Sequence, residues 1–322
     1  MEPRALVSGL KITLLAVVLF TAGWKLHGAW QEYRAQQQRE PVVIDWFWSV
    51  PSMAALAAVA ATGATGWYWL LRRIDGAGAV IRLYGAYWFS QLGKYVPGKI
   101  VLLLMRLERT APLGVSGRAT TVATLVENAV YVVSGAAAAL LALTGSTGGH
   151  GRLLTGVLLA GGLLLVAVHP AVFYRLVNPV LKRAGRAEID PGQRLRASAI
   201  LASTLLMSPC WLFGGAALWS ASRCVVPLSI GEVWNLSGVF ALSVVLGMIS
   251  FLPGGLGVRE VTQGVLLVPI LLTALPSDPA ASARAQLLAA LIVVMQRLFQ
   301  LAVELVLGLL GGLLSRPRRA VA

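Results

Sequence analysis

The stretch FLPGGLGVREVTQG (Phe251 to Gly264) interrupts an apolar region that runs from Ile230 to Leu272. Pro253 has no N–H, and Gly254, Gly255 and Gly257 permit backbone angles closed to other residues, so a helix must break here. Arg259 and Glu260 then open the next helix, with apolar runs on both sides. An ionisable group at membrane depth costs roughly 2.5–3.5 kcal/mol on insertion scales, so one that persists there marks a pathway or a ligand site. Arg carries a planar fork suited to phosphate. The N–H groups of a glycine turn and of a helix N-terminus add donors for the same anion. Neither GxGxxG nor GxxxxGK[ST] is present, so the glycines do not read as a nucleotide loop.

A second interruption lies upstream, in GKYVPGK (Gly93 to Lys99), inside the apolar stretch from Leu83 to Arg106. Pro97 and Gly98 break the helix, and freed N–H groups together with Lys94 and Lys99 make another anion site. The structural alternative is that these lysines reach back to the head groups. Each half of this stretch is too short to cross a bilayer and suits a re-entrant hairpin.

Composition sets the class. The chain has 322 residues, 57% of them hydrophobic and only 12% charged, against about 25% charged in soluble domains. Apolar segments fall at about Leu10 to Leu26, Trp46 to Leu71, Thr120 to Leu143, Leu153 to Phe173, Ala199 to Ser220 and Ala285 to Leu314. The first is long for a signal core and has no cleavage site after it, so it reads as a membrane helix. A net charge of +14 in a soluble protein would suggest nucleic acid. Here the basic residues cluster in short loops beside membrane segments, as topology and anionic lipids demand, and no nucleic-acid signature accompanies them. Cys210 and Cys224 show no CxxC spacing, and His27, His150 and His169 show no ligand spacing. No metal, cofactor or disulfide is expected.

Charge by loop gives the orientation. With the N-terminus inside, the inner side collects Arg72, Arg73 and Arg82, then Arg106, Arg109 and Arg118, the loop from Arg175 to Arg196, and the tail Arg316, Arg318 and Arg319. The outer side collects Lys25, Arg34, Arg39, Arg152, Arg223 and Arg284, leaving Lys94, Lys99, Arg259 and Arg297 at depth. The bias predicts cytoplasmic N- and C-termini in a plasma (inner) membrane. It requires each interrupted stretch to return to the side it entered. The predicted fold is therefore one all-α polytopic domain, residues 1–322, with six transmembrane helices. Two re-entrant broken-helix hairpins, about 83–106 and 230–272, enter from opposite faces as an inverted pseudo-repeat. If both stretches instead crossed as kinked helices, the Arg175 to Arg196 loop would lie outside, against the charge rule.

Glu127 and Glu304 complete the set of charges within apolar segments. Glu127 lies inside an apolar segment, sharing a helix face with Tyr131 and Ser134, and needs a basic partner from among the deep residues. Arg297 shares a face with Gln300 and Glu304 and must look into protein or water. Arg106 and Arg109 read as inner-interface anchors, and Trp46, Trp48, Trp67 and Trp69 as an interfacial belt. Glu127, Glu260 and Glu304 would balance basic groups or carry protons.

At these motifs the chain resembles the lysylphosphatidylglycerol synthase transmembrane-region family, which includes the flippase domain of the multiple peptide resistance factor and its stand-alone relatives. The resembling residues are QLGKYVPGKI (Gln91 to Ile100) with Arg106, Glu108 and Arg109, then Glu127, LPGGLGVRE (Leu252 to Glu260), and Arg297 with Glu304. The resemblance implies two oppositely entering re-entrant elements and movement of lipids with anionic or modified head groups between leaflets. It points to Lys94, Lys99, Glu127, Arg259, Glu260 and Arg297. The sequence after segment six leaves no room for a soluble aminoacyl-transferase domain, so lysyl transfer is not expected. The expected function is a translocator of a phospholipid, an aminoacylated phospholipid or a polyprenyl-phosphate glycolipid. The alternatives are a non-transporting partner of a glycosyltransferase or lipid synthase, and a membrane lipid transferase with Glu127 as its one candidate acid–base group.

Overall fold

A computed structural model gives the structure. It describes residues 42–96, 100–146, 155–156, 159–162, 171–172, 174–175, 178–179, 195–250 and 252–316. The apolar segment at Leu10 to Leu26 lies outside these residues, as do most of Leu153 to Phe173 and of the Arg175 to Arg196 loop, and His27, His150 and His169.

Every regular element among the described residues is helical. A 3-10 turn at Trp46–Trp48, in which the Asp45 side chain accepts the Phe47 N–H, leads into α1, Ser49–Asp75. α2 is Val80–Gln91, continued by a 3-10 turn at Leu92–Tyr95, and α3 is Ile100–Thr110. α4 is Gly117–Ser146. α5, Ala197–Met207, and α6, Pro209–Arg223, follow each other with a break at Ser208, because Pro209 brings no N–H to the ladder. α7 is Glu232–Ile249, α8 is Val258–Ala274 and α9 is Ala281–Leu314.

Among the described residues, six stretches are long and apolar enough to cross a membrane: Trp46–Asp75, Gly117–Ala142, Ala197–Arg223, Glu232–Ile249, Pro253–Ala274 and Ala281–Leu314. Four of them coincide with predicted crossings. The other two are the halves of the second interrupted stretch, read from sequence as a re-entrant hairpin. Their helices, α7 with 18 residues and α8 with 17, span about 27 and 26 Å at 1.5 Å per residue, close to the hydrocarbon thickness. The halves of the first interrupted stretch differ. α2 has 12 residues and α3 has 11, so at about 18 Å or less neither can cross alone, and they pack against each other.

The chain groups into two compact units: Met1–Leu56 with Leu212–Val303, and Ala57–Trp211 with Glu304–Ala322. In the first, Leu218 of α6, Leu236 and Val239 of α7, Leu267 and Leu271 of α8, and Leu288 and Ile292 of α9 form the core. In the second, Trp67, Leu70 and Leu71 of α1 meet Leu83 and Tyr87 of α2, Val126 and Val130 of α4, and Met207 of α5. Trp67 is fully buried in that core, which corrects its reading as part of an interfacial belt; Trp46, at 59% exposure, fits that reading. α9 leaves Val294, Leu298, Leu305 and Leu309 exposed at helical spacing, an apolar stripe that suits contact with lipid rather than water.

Candidate functional site

Each unit carries its own cluster of charged and polar side chains, in the first unit at the turn between α7 and α8. In the first unit the turn between α7 and α8 holds Gly254, Gly255 and Gly257 at φ of 59°, 70° and 82°, the left-handed region that other residues rarely adopt. This turn frees backbone groups inside an apolar unit, and side chains take them up. Arg297 of α9 donates from Nη2 to the carbonyl of Gly254 at 2.9 Å and from Nη1 to Gln300 at 3.2 Å. Its Nε lies 3.0 Å from Glu260 Oε1, a charge contact rather than an aligned hydrogen bond. The other oxygen of Glu260 accepts the Gly257 N–H at 2.6 Å, so one carboxylate both caps α8 and faces a guanidinium.

Arg259 is buried beside the same turn. Its aliphatic stem passes between Gly247 of α7 and Gly255, where an added Cβ would come within 2.5 and 2.9 Å of it. Its guanidinium lies 5.7 Å from the ring centre of Phe240. Pro253, Gly254, Gly255, Gly257, Arg259 and Glu260 therefore share one turn, and Arg297, which the sequence placed only with Gln300 and Glu304, joins them from α9. Beside them Gln263 of α8 donates to Ser243 of α7 at 3.1 Å, a buried polar contact that the sequence reading missed. Gln296 of α9 is 1% exposed, and its Nε2 has no hydrogen-bond partner among the described residues.

In the second unit the cluster has two parts. Lys94, on the 3-10 turn after α2, bonds Glu304 Oε1 of α9 at 2.7 Å, and the Tyr95 hydroxyl donates to Glu304 Oε2 at 2.7 Å. Lys94 and Glu304 are 25% and 12% exposed at the side chain, so this pair is still reached by solvent or lipid. Lys99, Pro97 and Gly98 lie outside the described residues.

The other part corrects the sequence reading. Arg106 is 1% exposed and is not an interface anchor. It pairs with Glu127 of α4 and donates from Nε to Ser90 at 2.9 Å and from Nη1 to Thr124 at 3.1 Å. Its guanidinium carbon lies 4.9 Å from the Trp67 ring centre and 4.4 Å from that of Tyr87. The Tyr87 hydroxyl donates to Glu127 at 2.8 Å. Glu127 thus has a basic partner, but Arg106 rather than Lys94, Lys99, Arg259 or Arg297. Its predicted helix-face neighbour Ser134 accepts from Trp211 Nε1 at 3.0 Å. Five hydrogen bonds join Arg106, Glu127, Tyr87, Ser90 and Thr124 in one buried core, which is the arrangement that makes a buried charge tolerable. Arg109, its neighbour, stacks on Phe89 at 4.1 Å.

Glu232 lies in the first turn of α7, where a negative charge favours the helix dipole, and accepts from Asn235. Cys210 and Cys224 are both free and buried. Burial pushes the Cys224 thiol up, and the Asp45 carboxylate adds to this. Among the described residues no three His, Cys, Asp or Glu side chains come together as a metal site. No family model matches the chain, and no curated protein matches it.

Proposed function

We propose that the protein moves a phosphate-bearing lipid between membrane leaflets. The observation that carries this reading is the gathering of Arg259 and Arg297 at a glycine turn inside an apolar unit, with Glu260 as the counter-charge. Two guanidinium forks and a turn rich in backbone N–H groups recognise phosphate by shape as well as charge. Lys94 beside Glu304 offers a second cation that an anionic head group reaches from outside the core. The carboxylate at each station holds the cation while no lipid is present and is displaced when phosphate arrives. The test is leaflet exchange of fluorescent lipids in proteoliposomes, with anionic phospholipids and a polyprenyl phosphate side by side. Exchange by the wild type that drops at least tenfold in Arg259→Ala is the expected result. Folded wild-type protein that exchanges none of these lipids would overturn the reading and leave the partner-protein role.

The same proposal takes the α2–α3 hairpin and the α7–α8 hairpin as re-entrant elements of an inverted repeat in a plasma membrane, with both termini cytoplasmic. The shortness of α2 and α3 favours this for the first hairpin. For the second, Leu256→Cys and Ser277→Cys report the topology, since both positions are exposed. A re-entrant turn leaves Leu256→Cys unlabelled by impermeant maleimide, or labelled only from the side that reaches Ser277→Cys. Labelling of Leu256→Cys from the opposite side alone would make α7 and α8 two full crossings.

A further inference from the structure

A pocket in the first unit, remote in sequence from both helix breaks, is lined by Asp45, Trp48, Arg223, Cys224, Val226 and Pro227. It lies where two membrane-length stretches end, since Trp46 opens one and Arg223 closes another. Its walls are fixed. Asp45 N–H donates to the Cys224 carbonyl at 2.8 Å, and Asp45 Oδ1 accepts from Phe47 N–H at 3.0 Å. Arg223 Nη1 donates to the Leu228 carbonyl at 3.1 Å. The Arg223 guanidinium carbon sits 4.6 Å from the Trp48 ring centre and 5.7 Å from that of Trp219, and the two rings meet edge to face. Trp219 is held in turn by its bond to the Ser229 carbonyl.

Two features point to a ligand. Among the described residues the guanidinium of Arg223, which lines the pocket, makes one hydrogen bond, from Nη1 to the Leu228 carbonyl, and its other donors are uncommitted. Asp45 and Arg223 line one pocket, yet among the described residues neither forms an ion pair with the other. A fixed cation and a fixed anion side by side match a head group that carries both charges. Around them Val43, Trp46, Phe47 and Ile230 are exposed apolar side chains at the end of a membrane-length stretch, where an acyl chain would continue from such a head group.

We propose that this pocket binds the zwitterionic head group of a phosphoethanolamine lipid, with the phosphate on Arg223 and the ammonium on Asp45. A primary ammonium donates hydrogen bonds to the Asp45 carboxylate, whereas a trimethylated ammonium has no N–H to donate. A glycerol head group brings no positive charge to Asp45. The site therefore selects phosphatidylethanolamine over both phosphatidylcholine and phosphatidylglycerol. It serves retention at the membrane surface and does not depend on lipid translocation.

The test is lipid retention by the full chain. Protein is equilibrated with mixed micelles of phosphatidylethanolamine, phosphatidylcholine and phosphatidylglycerol of matched acyl chains, washed, and its bound lipid quantified by mass spectrometry. The wild type should retain phosphatidylethanolamine several-fold above its supplied share. Asp45→Asn keeps the oxygen that accepts from Phe47 and removes only the charge, so it should stay folded and return the ratio to the supplied one. Arg223→Gln should do the same by removing the phosphate partner. A wild-type ratio equal to the supplied one overturns the proposal, as does enrichment that survives in folded Asp45→Asn. Protection of the wild type against thermal unfolding by free O-phosphoethanolamine, without enrichment of the lipid, would overturn the lipid as its source.

Discussion

Arg106→Met is expected to destabilise the protein by roughly 3–5 kcal/mol, the range for breaking a buried ion pair from one side. Glu127 is 4% exposed, and its counter-charge is the guanidinium of Arg106. Without that group the carboxylate is left in a core with only the Tyr87 hydroxyl bonded to it, and Ser90 and Thr124 lose their guanidinium donors. Glu127→Gln should cost less, because an amide oxygen still accepts from Tyr87 and from the guanidinium. The double variant Arg106→Met with Glu127→Leu should recover much of the loss, since a buried pair replaced whole by apolar groups is often tolerated. Thermal unfolding in detergent, followed by the loss of the monodisperse chromatographic peak, gives the comparison. Equal midpoints for the single Arg106→Met and the double variant would mean that the two charges are not coupled. A wild-type midpoint for Arg106→Met would remove the pair as a structural element.

How this pair escaped the sequence reading shows what one chain conceals. Arg106 stands near the end of an apolar run with Arg109 and Arg118 after it, the pattern of an inner-interface anchor. The same run is an 11-residue helix that folds back beside α2, so its last turn enters a core instead of reaching a surface. Hydropathy gives apolar length and the sites of breaks, and these were legible. Segments around Trp46, Thr120, Ala199 and Ala285 became helices within a few residues of their predicted ends, and the proline and glycines of LPGGLG made the turn they require. Partner choice is a tertiary property. Lys94 and Glu304 are 210 residues apart, and Arg297 and Gly254 are 43 apart, so no local spacing announces either contact. Helix-face arithmetic put Arg297, Gln300 and Glu304 together, and Arg297 does bond Gln300. Glu304 instead answers to Lys94, because a helix face two turns long serves different neighbours at its two ends. The lengths of α7 and α8 were visible in the apolar runs on either side of the break, but the course of the two arms was not. A Pro-Gly break signals an interruption equally well in a hairpin that turns back and in one whose two arms each have the length to cross.

Arg297→Ala is expected to lower leaflet exchange by about ten- to a hundredfold, the equivalent of losing one charge-assisted hydrogen bond at roughly 1.5–3 kcal/mol. This guanidinium makes three contacts, to Gly254, Gln300 and Glu260. It ties α9 to the glycine turn and to the carboxylate that caps α8. If the protein moves a phosphate-bearing lipid as proposed, the phosphate arriving at the turn competes with Glu260 for the same fork. Arg297→Lys should therefore fail to restore exchange, because an ammonium is a point charge without the planar fork that holds the turn carbonyl and an anion together. Glu260→Gln separates the two tasks of that residue. Its amide oxygen still accepts the Gly257 N–H and keeps the cap, but it no longer competes with phosphate, so lipid should bind more tightly and leave more slowly. Exchange in Glu260→Gln is expected to fall while the retained anionic lipid rises. A structural role alone would lower the thermal midpoint of Arg297→Ala and leave the exchange rate per folded molecule at the wild-type value. That outcome, measured on the folded fraction, would take the LPGGLG turn out of the transport path.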